Sequence, residues 1–414
     1  MNKTSPEQGR RRLSVWVRYM SRLNNFIERI NEDFAQVYKG QRPEFISRAA
    51  GRVELIGGHT DYNEGFVIAA AIDKSIWVAV ARRADQKVCI YSEWMGQSHE
   101  FKLSADLTAD KQRKWANYGR GVAAALMQQG LELRGANLYI AADVPIGAGL
   151  GSSAALEVSL AQSMLHISGY TDTLSALKLA QVCQMAENVY AGSPCGIMDQ
   201  MVCITGKREQ AVFLDCRELQ IELLPLPAKH CCIMIFNSMV RHEVGGGEYG
   251  KRRKQCEQAC TAIAQKYPQV KALRDVSRDI LAEVKGRLDP VLLSRAEHVI
   301  GENARVLAAR EALKKMDVKA FGRLMYESHN SSRDLFESSC AQIDFLVEQI
   351  SDCEGAYGAR LSGGGFGGAA VAVVNPQAVQ SVEKKVARLY REKFGIDCEI
   401  HVARAWQGIE IVEL

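Results

Sequence analysis

The stretch Asp143–Glu157, DVPIGAGLGSSAALE, decides the reading of this chain. Gly147, Gly149 and Gly151 fall within five residues and lead directly into Ser152, Ser153 and Ala154. Glycines let backbone N–H groups turn inward where a Cβ would block the approach. A helix starting at the serines adds free N–H groups and the positive end of its dipole, and such a loop cradles a polyphosphate. Upstream, Leu138, Ile140 and Ala142 alternate with Asn137, Tyr139 and Ala141 as in a strand; downstream, Leu156, Leu160, Met164 and Leu165 follow helical spacing. This is not the Walker loop, which needs Gly-Lys-Ser/Thr, and the dinucleotide fingerprint GxGxxG is not completed. On this stretch alone, a plain glycine-rich connection between strand and helix stays open.

The whole chain narrows the classes. Its 414 residues suggest two or three domains, and 47% hydrophobic with 24% charged residues is ordinary for a folded protein. Lys and Arg number 52 against 48 Asp and Glu, so charge implies no polyanion and no nucleic acid partner. Twelve cysteines are scattered without a CxxC pair, which reads as free thiols in a reducing compartment and proposes no zinc site. Arg10 to Arg12 precede no apolar run of secretory length, and no stretch reaches the length of a membrane span, so the cytoplasm is the expected location.

Along the chain, a polar leader and one helix occupy residues 1 to about 38. Two apolar runs around the polar turn at Asp61 to Gly65 predict a hairpin, with further strands at Ser75 to Arg83 and Lys87 to Glu93. Helices are expected at Trp115 to Gln129, after the glycine loop, and at Leu174 to Ala191. Pro194 and Gly196 then force a turn that sets Asp199 at the mouth of the next segment. Pro225-Leu-Pro227 is the best boundary, giving lobes at 1–225 and 226–414. The second half begins with a strand at Cys232 to Asn237, continues with helices and a second glycine cluster at Leu361 to Val374, and closes with a strand at Cys398 to Ala403. Strands mixed with helices in both halves predict an α+β protein of two lobes.

Three stretches in fixed order now coincide: GRVELIGGHTDYNEG at 51–65, PIGAGLGSSA at 145–154 and SGGGFGG at 362–368. Together they resemble the signature set of the GHMP small-molecule kinases, and the first resembles the galactokinase branch. WANY at 115–118, CGIMDQ at 195–200, LDCR at 214–217, NSMVRHEVGGGEY at 237–249, ENARV and ESHNSSRD extend the likeness from about Asp33 to Val402. The resemblance implies an N-terminal lobe like ribosomal protein S5 domain 2, a ferredoxin-like C-terminal lobe, and a site between them. It also implies transfer of the γ-phosphoryl group of ATP to the anomeric hydroxyl of galactose or a galactose-like sugar, with Mg²⁺.

By that resemblance Asp199 is the catalytic residue, accepting or orienting the proton of the attacking hydroxyl, with Arg52 beside it. Positioning outweighs early deprotonation in a loose phosphoryl transfer. Arg52, His59, Asp61, Gly196, Asp199 and Tyr249 would contact the sugar. Gly147, Gly149, Leu150, Gly151, Ser152, Ser153 and Ala154 would hold the phosphates, with Gly364 and Gly365 supporting them from the other lobe. Trp115 and Tyr118 would flank the adenine. Ser153 and Glu187 would reach the magnesium ion, which takes few protein oxygens and completes its shell with water and phosphate.

One departure stands out. The family usually reads GEHTDYN, whereas this chain has Gly57-Gly58-His59, so the glutamate that meets the sugar's C6 hydroxyl is absent. Three explanations compete: Glu54 substitutes, another carboxylate reaches in, or the sugar is altered at C6, as in galacturonate or arabinose. Restoring a glutamate at 58 is then expected to improve galactose and to penalise a uronic acid. A non-catalytic sugar and ATP sensor is the reading from a different class. The intact loop with Asp199 and Arg52 argues against it.

Overall fold

A computed structural model describes residues 23–145, 149–193, 195–240 and 247–414. The leader, Gly147 and Pro194 lie outside the described residues. A helix over residues 23–37 (α1) precedes β1 (Phe45–Ile56), a 3-10 turn at Asp61–Asn63 and β2 (Phe66–Arg82). Next come β3 (Lys87–Ser92), β4 (Gln97–Lys102), α2 (Asn117–Met127), β5 (Ala136–Ala142) and, past the glycine loop, α3 (Ser152–Ser168). The chain continues through α4 (Ala176–Met185), a π-helical turn at Ala186–Ala191, α5 (Met198–Thr205), β6 (Gln210–Asp215) and β7 (Gln220–Pro225). The second half runs β8 (Cys232–Asn237), α6 (Glu248–Ala264), α7 (Arg278–Val284), α8 (Pro290–Lys314), α9 (Val318–Asp334) and α10 (Ala341–Ser351). It ends with β9 (Ala356–Ser362), β10 (Ala369–Val374), α11 (Val379–Phe394), β11 (Glu399–Ala403) and β12 (Ile409–Glu413).

Two sheets result, as the two-lobed α+β expectation requires. The first has the order β12-β1-β2-β5-β3-β4, with β6 also paired to β2 and β7 to β6. The second is fully antiparallel in the order β11-β8-β10-β9. Two strand expectations need correction. The run at Ser75 to Arg83 is not a separate strand but the end of β2, which spans 17 residues. Asp73 and Lys74 break its apolar pattern, yet pairing to β1 continues past them through a register shift between Ala50 and Arg52. The chain also closes one strand later than read: β12, with alternating Ile409 and Ile411, pairs with β1 and returns the C-terminus to the first sheet.

Packing is layered on both sheets. Helix α3 lies on β1 and β2, while α1 covers the other face with Ile30 and Phe34 against Ile46, Trp77 and Tyr139. On the second sheet, Phe236, Leu361 and Ala372 meet Ile343 and Leu346 of α10 and Val386 and Tyr390 of α11. A third cluster joins Cys256 and Ile263 of α6 to Val299 of α8 and Phe336. Helix α8 also touches β1 and β2, so the second half is keyed into the first just behind the hairpin turn.

Candidate active site

The two residues expected to act on the phosphoryl group meet. Arg52 of β1 donates from Nε to Asp199 Oδ1 at 2.6 Å, and its Nη2 pairs with Oδ2. The fork is therefore bidentate, the geometry that suits a guanidinium and a carboxylate. The third nitrogen, Nη1, donates to the carbonyl of Gly149 at 2.6 Å, and the Arg52 backbone N–H donates to Leu150 at 2.8 Å. Burial alone would lower the guanidinium, but the charge and hydrogen bonds of Asp199 outweigh it and raise Arg52 above its ordinary value. Gly149 and Gly151 have φ of 73° and 67°, the left-handed region that favours glycine. A Cβ on Gly151 would also stand 2.8 Å from Arg52 Cγ. Gly151 caps α3, whose first turn holds Ser152, Ser153 and Ala154.

The hairpin turn between β1 and β2 supplies the sugar-side residues. Asp61 opens the 3-10 turn, and a Cβ on Gly196 would lie 2.5 Å from its Oδ2, so glycine is needed there for close approach. Burial pushes the Asp61 carboxyl up to about 6, and the charges of Glu54 and Asp199 push the same way. His59 stacks on Phe336 at 4.4 Å and lies 5.6 Å from the Tyr249 ring. Its Nδ1 bonds the Tyr62 hydroxyl at 3.0 Å, while Nε2 is buried without a partner among the described residues. Burial, then the charges of His298 and Arg360, drive His59 well below its ordinary value, so the imidazole is neutral. Asp61, Cys195, Gly196 and Tyr249 line a cavity of about 340 Å³. That is the size class of small-molecule sites.

Glu187 sits in the π-helical turn, which the sequence pattern reads as ordinary helix and which often marks functional positions. Its Oε2 accepts from Gln200 Nε2 at 2.8 Å and from the Cys195 thiol at 3.1 Å. Burial raises its carboxyl, and hydrogen bonds from Cys195 and Ser153 oppose that. Ser153 and Glu187 are thus brought together at the start of α3, a hydroxyl and a carboxylate suited to a hard cation. No Lys or Arg pairs with Glu187 among the described residues, and no cluster of three or more His, Cys, Asp or Glu is arranged for a metal there. The donor set fits Mg²⁺, with phosphate and water as the remaining ligands.

The two aromatics near 115 separate. Trp115 Nε1 donates to Gln97 on β4 at 3.2 Å. Burial, followed by the charges of Glu187, Glu157 and Cys195, pushes the Tyr118 hydroxyl up to about 12. The second glycine run closes over the first loop: a Cβ on Gly363 would lie 3.9 Å from the Gly149 carbonyl, and one on Gly364 would lie 3.3 Å from the Tyr249 ring. Gly365 has φ of 87° and abuts the Ser338 carbonyl.

Several functional neighbours carry no signal at the level of residue roles. Glu302 of α8 accepts the Gly57 N–H at 2.9 Å and pairs with Arg305 at 2.7 Å; His298 bonds the Gly58 carbonyl at 3.0 Å. Asn303 accepts the Phe66 N–H at 3.0 Å. The ENARV and ESHNSSRD stretches therefore support the hairpin turn from behind, with Ser328 donating to Glu302. Position 58 is not the open slot expected. A Cβ there would stand 2.5 Å from Arg360 Nη2, so a glutamate fits only if that buried arginine moves.

Comparison with known proteins gives the family of the chain. A galactokinase galactose-binding signature matches residues 32–82, a GHMP kinase N-terminal domain matches 117–207, and a GHMP kinase C-terminal domain matches 309–392. A galactokinase of Roseiflexus sp. (strain RS-1) is 41% identical over 380 residues, 92% of this chain and 96% of that one. One from Chloroflexus aggregans is 40% identical, covering 91% and 95%. Among solved structures, Lactococcus lactis galactokinase complexed with galactose superposes with a TM-score of 0.87 at 31% identity, over 93% of this chain and 99% of that one. The Methanococcus jannaschii mevalonate kinase, at 18% identity and a TM-score of 0.61, shares the fold. No described helix is long and apolar enough to cross a membrane.

Proposed function

This chain belongs to the galactokinases of the GHMP kinase family, and from that premise we propose that it moves the γ-phosphoryl group of ATP onto the anomeric hydroxyl of galactose. One observation carries the reading: a single guanidinium, Arg52, grips both the carboxylate of Asp199 and the backbone of the glycine loop. The acceptor end and the phosphate end of the site are thereby held in one register. Proximity of this kind supplies much of the rate in phosphoryl transfer.

Asp199 orients the attacking hydroxyl and accepts its proton. Arg52 remains cationic and stabilises charge that develops on the transferred oxygens. Asp61, His59 Nε2 and Tyr249 hold the sugar, and the N–H groups at the start of α3 hold the phosphates. Ser153 and Glu187 would bind a magnesium ion, which when present neutralises phosphate charge. Trp115 is proposed to flank the adenine. Tyr118 is assigned to the same region, on the side of Glu187. Twelve free thiols support a cytoplasmic location.

The test is ADP release from Mg·ATP with galactose, galacturonate, N-acetylgalactosamine, arabinose and glucose, followed by identification of the product. Galactose 1-phosphate as the main product is expected. Absence of ADP release with galactose would overturn the assignment.

A further inference from the structure

Residue 58 lacks a side chain, yet the space where one would begin is occupied. A Cβ there would meet Arg360 Nη2 at 2.5 Å and Glu54 Oε1 at 3.4 Å. Arg360, on β9 of the second sheet, is 1% exposed, and its Nη1 donates to Glu54 Oε1 at 2.7 Å. Its Nε is buried without a partner among the described residues. Glu54 is 5% exposed and lies two residues beyond Arg52 on β1, hence on the same face of the strand. Opposite them in the ladder stand the small residues Ala71 and Ala69. Glu54 Oε2 accepts no hydrogen bond among the described residues.

Glu54 shares its strand face with Arg52, the residue that holds Asp199. The charge of Glu54 helps to raise both Asp61 and Tyr249. His59 Nε2 is a buried nitrogen without a hydrogen-bond partner among the described residues. Of the three carboxylates Asp61, Asp199 and Glu54, Asp61 lines the cavity itself. Asp199 is clamped by Arg52 and Glu54 by Arg360, while Asp61 pairs with no arginine among the described residues. A carboxylate fixed by a charge-assisted hydrogen bond on one oxygen is a preorganised acceptor on the other.

We propose that Glu54, held by Arg360 from the second sheet, is a specificity-determining residue that accepts a hydrogen bond from a sugar hydroxyl, at the end of the pocket where residue 58 contributes no side chain. This rests on the kinase reading above and adds to it a named contact. It also ties sugar recognition to the packing of the two sheets, because the anchor and the acceptor belong to different ones.

The experiment is a cycle between protein and substrate. Galactose and its 2-, 3-, 4- and 6-deoxy analogues are compared at saturating Mg·ATP in the wild type and in the double variant Glu54→Gln/Arg360→Met. Both charges are removed together because either one alone would be left buried and unpaired. One deoxy analogue is expected to lose about 10–100-fold in kcat/KM in the wild type but less than about 3-fold in the variant. The other penalties and the KM for ATP should be unchanged, a pattern that a merely structural role does not produce. Identical penalty profiles in both proteins would overturn the proposal. If the double variant fails to give a cooperative melt, Glu54→Asp decides, since it keeps the charge pair and withdraws the acceptor by one methylene: a reduced penalty for one analogue supports the contact, an unchanged profile sinks it. Turnover of galactose without such coupling defeats this inference alone, whereas no turnover of galactose by the wild type defeats the kinase reading and this inference with it.

Discussion

Two groups of carboxylates lie near one glycine loop, and the chain treats them in opposite ways. Asp199 faces a guanidinium, bonded on both oxygens by Arg52. Glu187 and Glu157 face no cation among the described residues and are joined instead by a neutral amide, Gln200, which donates to both. Burial raises both of those glutamates, and the charge of Glu187 raises Glu157 further. The adjacent residues Asp199 and Gln200 on α5 thus serve one group each. The first group is electrostatically complete within the protein, as the proposed proton acceptor and phosphoryl clamp would require. The second lacks positive charge, which is what a site for an external cation looks like from the protein side.

Breaking the first group should have the largest effect. Asp199→Asn keeps a hydrogen-bonding side chain beside Arg52 and leaves the loop untouched, so ATP binding should persist. Turnover is expected to fall by about 10²–10⁴-fold, the usual range for removal of a positioned acid–base group. Single-turnover kinetics with a parallel nucleotide titration checks this. A kcat within about tenfold of wild type would assign Asp199 a structural role.

How far the sequence carries this comparison depends on chain proximity. Arg52, His59 and Asp61 lie on one strand and its turn, and Asp199 comes three residues after a glycine that must be small, so motif reading locates them. Gly151 and Gly196 are legible because each faces a close approach that a Cβ would obstruct. The π-helical turn that carries Glu187 has no composition of its own, and helix periodicity runs through it unbroken. Arg360 is less legible still. It sits in a strand 306 positions from Glu54, and only the packing of one sheet against the other makes them partners. Likewise β2 reads as two strands because Asp73 and Lys74 interrupt its apolar run, whereas its continuity is set by pairing with β1.

The second group can be sharpened through its amide. Gln200→Met removes the donor to Glu187 while roughly preserving volume, and leaves Asp199 and Arg52 in place. Loss of an orienting contact behind a metal ligand costs about 10–100-fold in metal affinity. The Mg²⁺ concentration for half-maximal ADP release should rise by that factor, with little change in the KM for sugar. An unchanged Mg²⁺ dependence would mean that Glu187 does not need Gln200 to face the ion.

The smallest effect separates Asp61 from Asp199 and Glu54, the two carboxylates held by arginines. Burial raises it from 3.8 to about 6, with Glu54 and Asp199 adding to the shift and the Tyr62 backbone N–H opposing it. The native protein then holds a proton that the unfolded chain has already released. The stability linked to that proton is complete below the unfolded value and is lost as pH rises through about 6. Binding runs in the opposite sense, because only the ionised carboxylate is a pure acceptor for sugar hydroxyls. The KM for galactose should therefore rise by about tenfold from about pH 7 to about pH 5. Neither His59, held well below its ordinary value, nor His298, at about 4, changes charge in that window. In Asp61→Asn the KM is expected to be high and flat across it, and the fall in stability between about pH 4 and about pH 6 should flatten as well. A pH limb that survives the substitution would assign the titration to another group and would leave Asp61 no different in kind from its arginine-clamped neighbours.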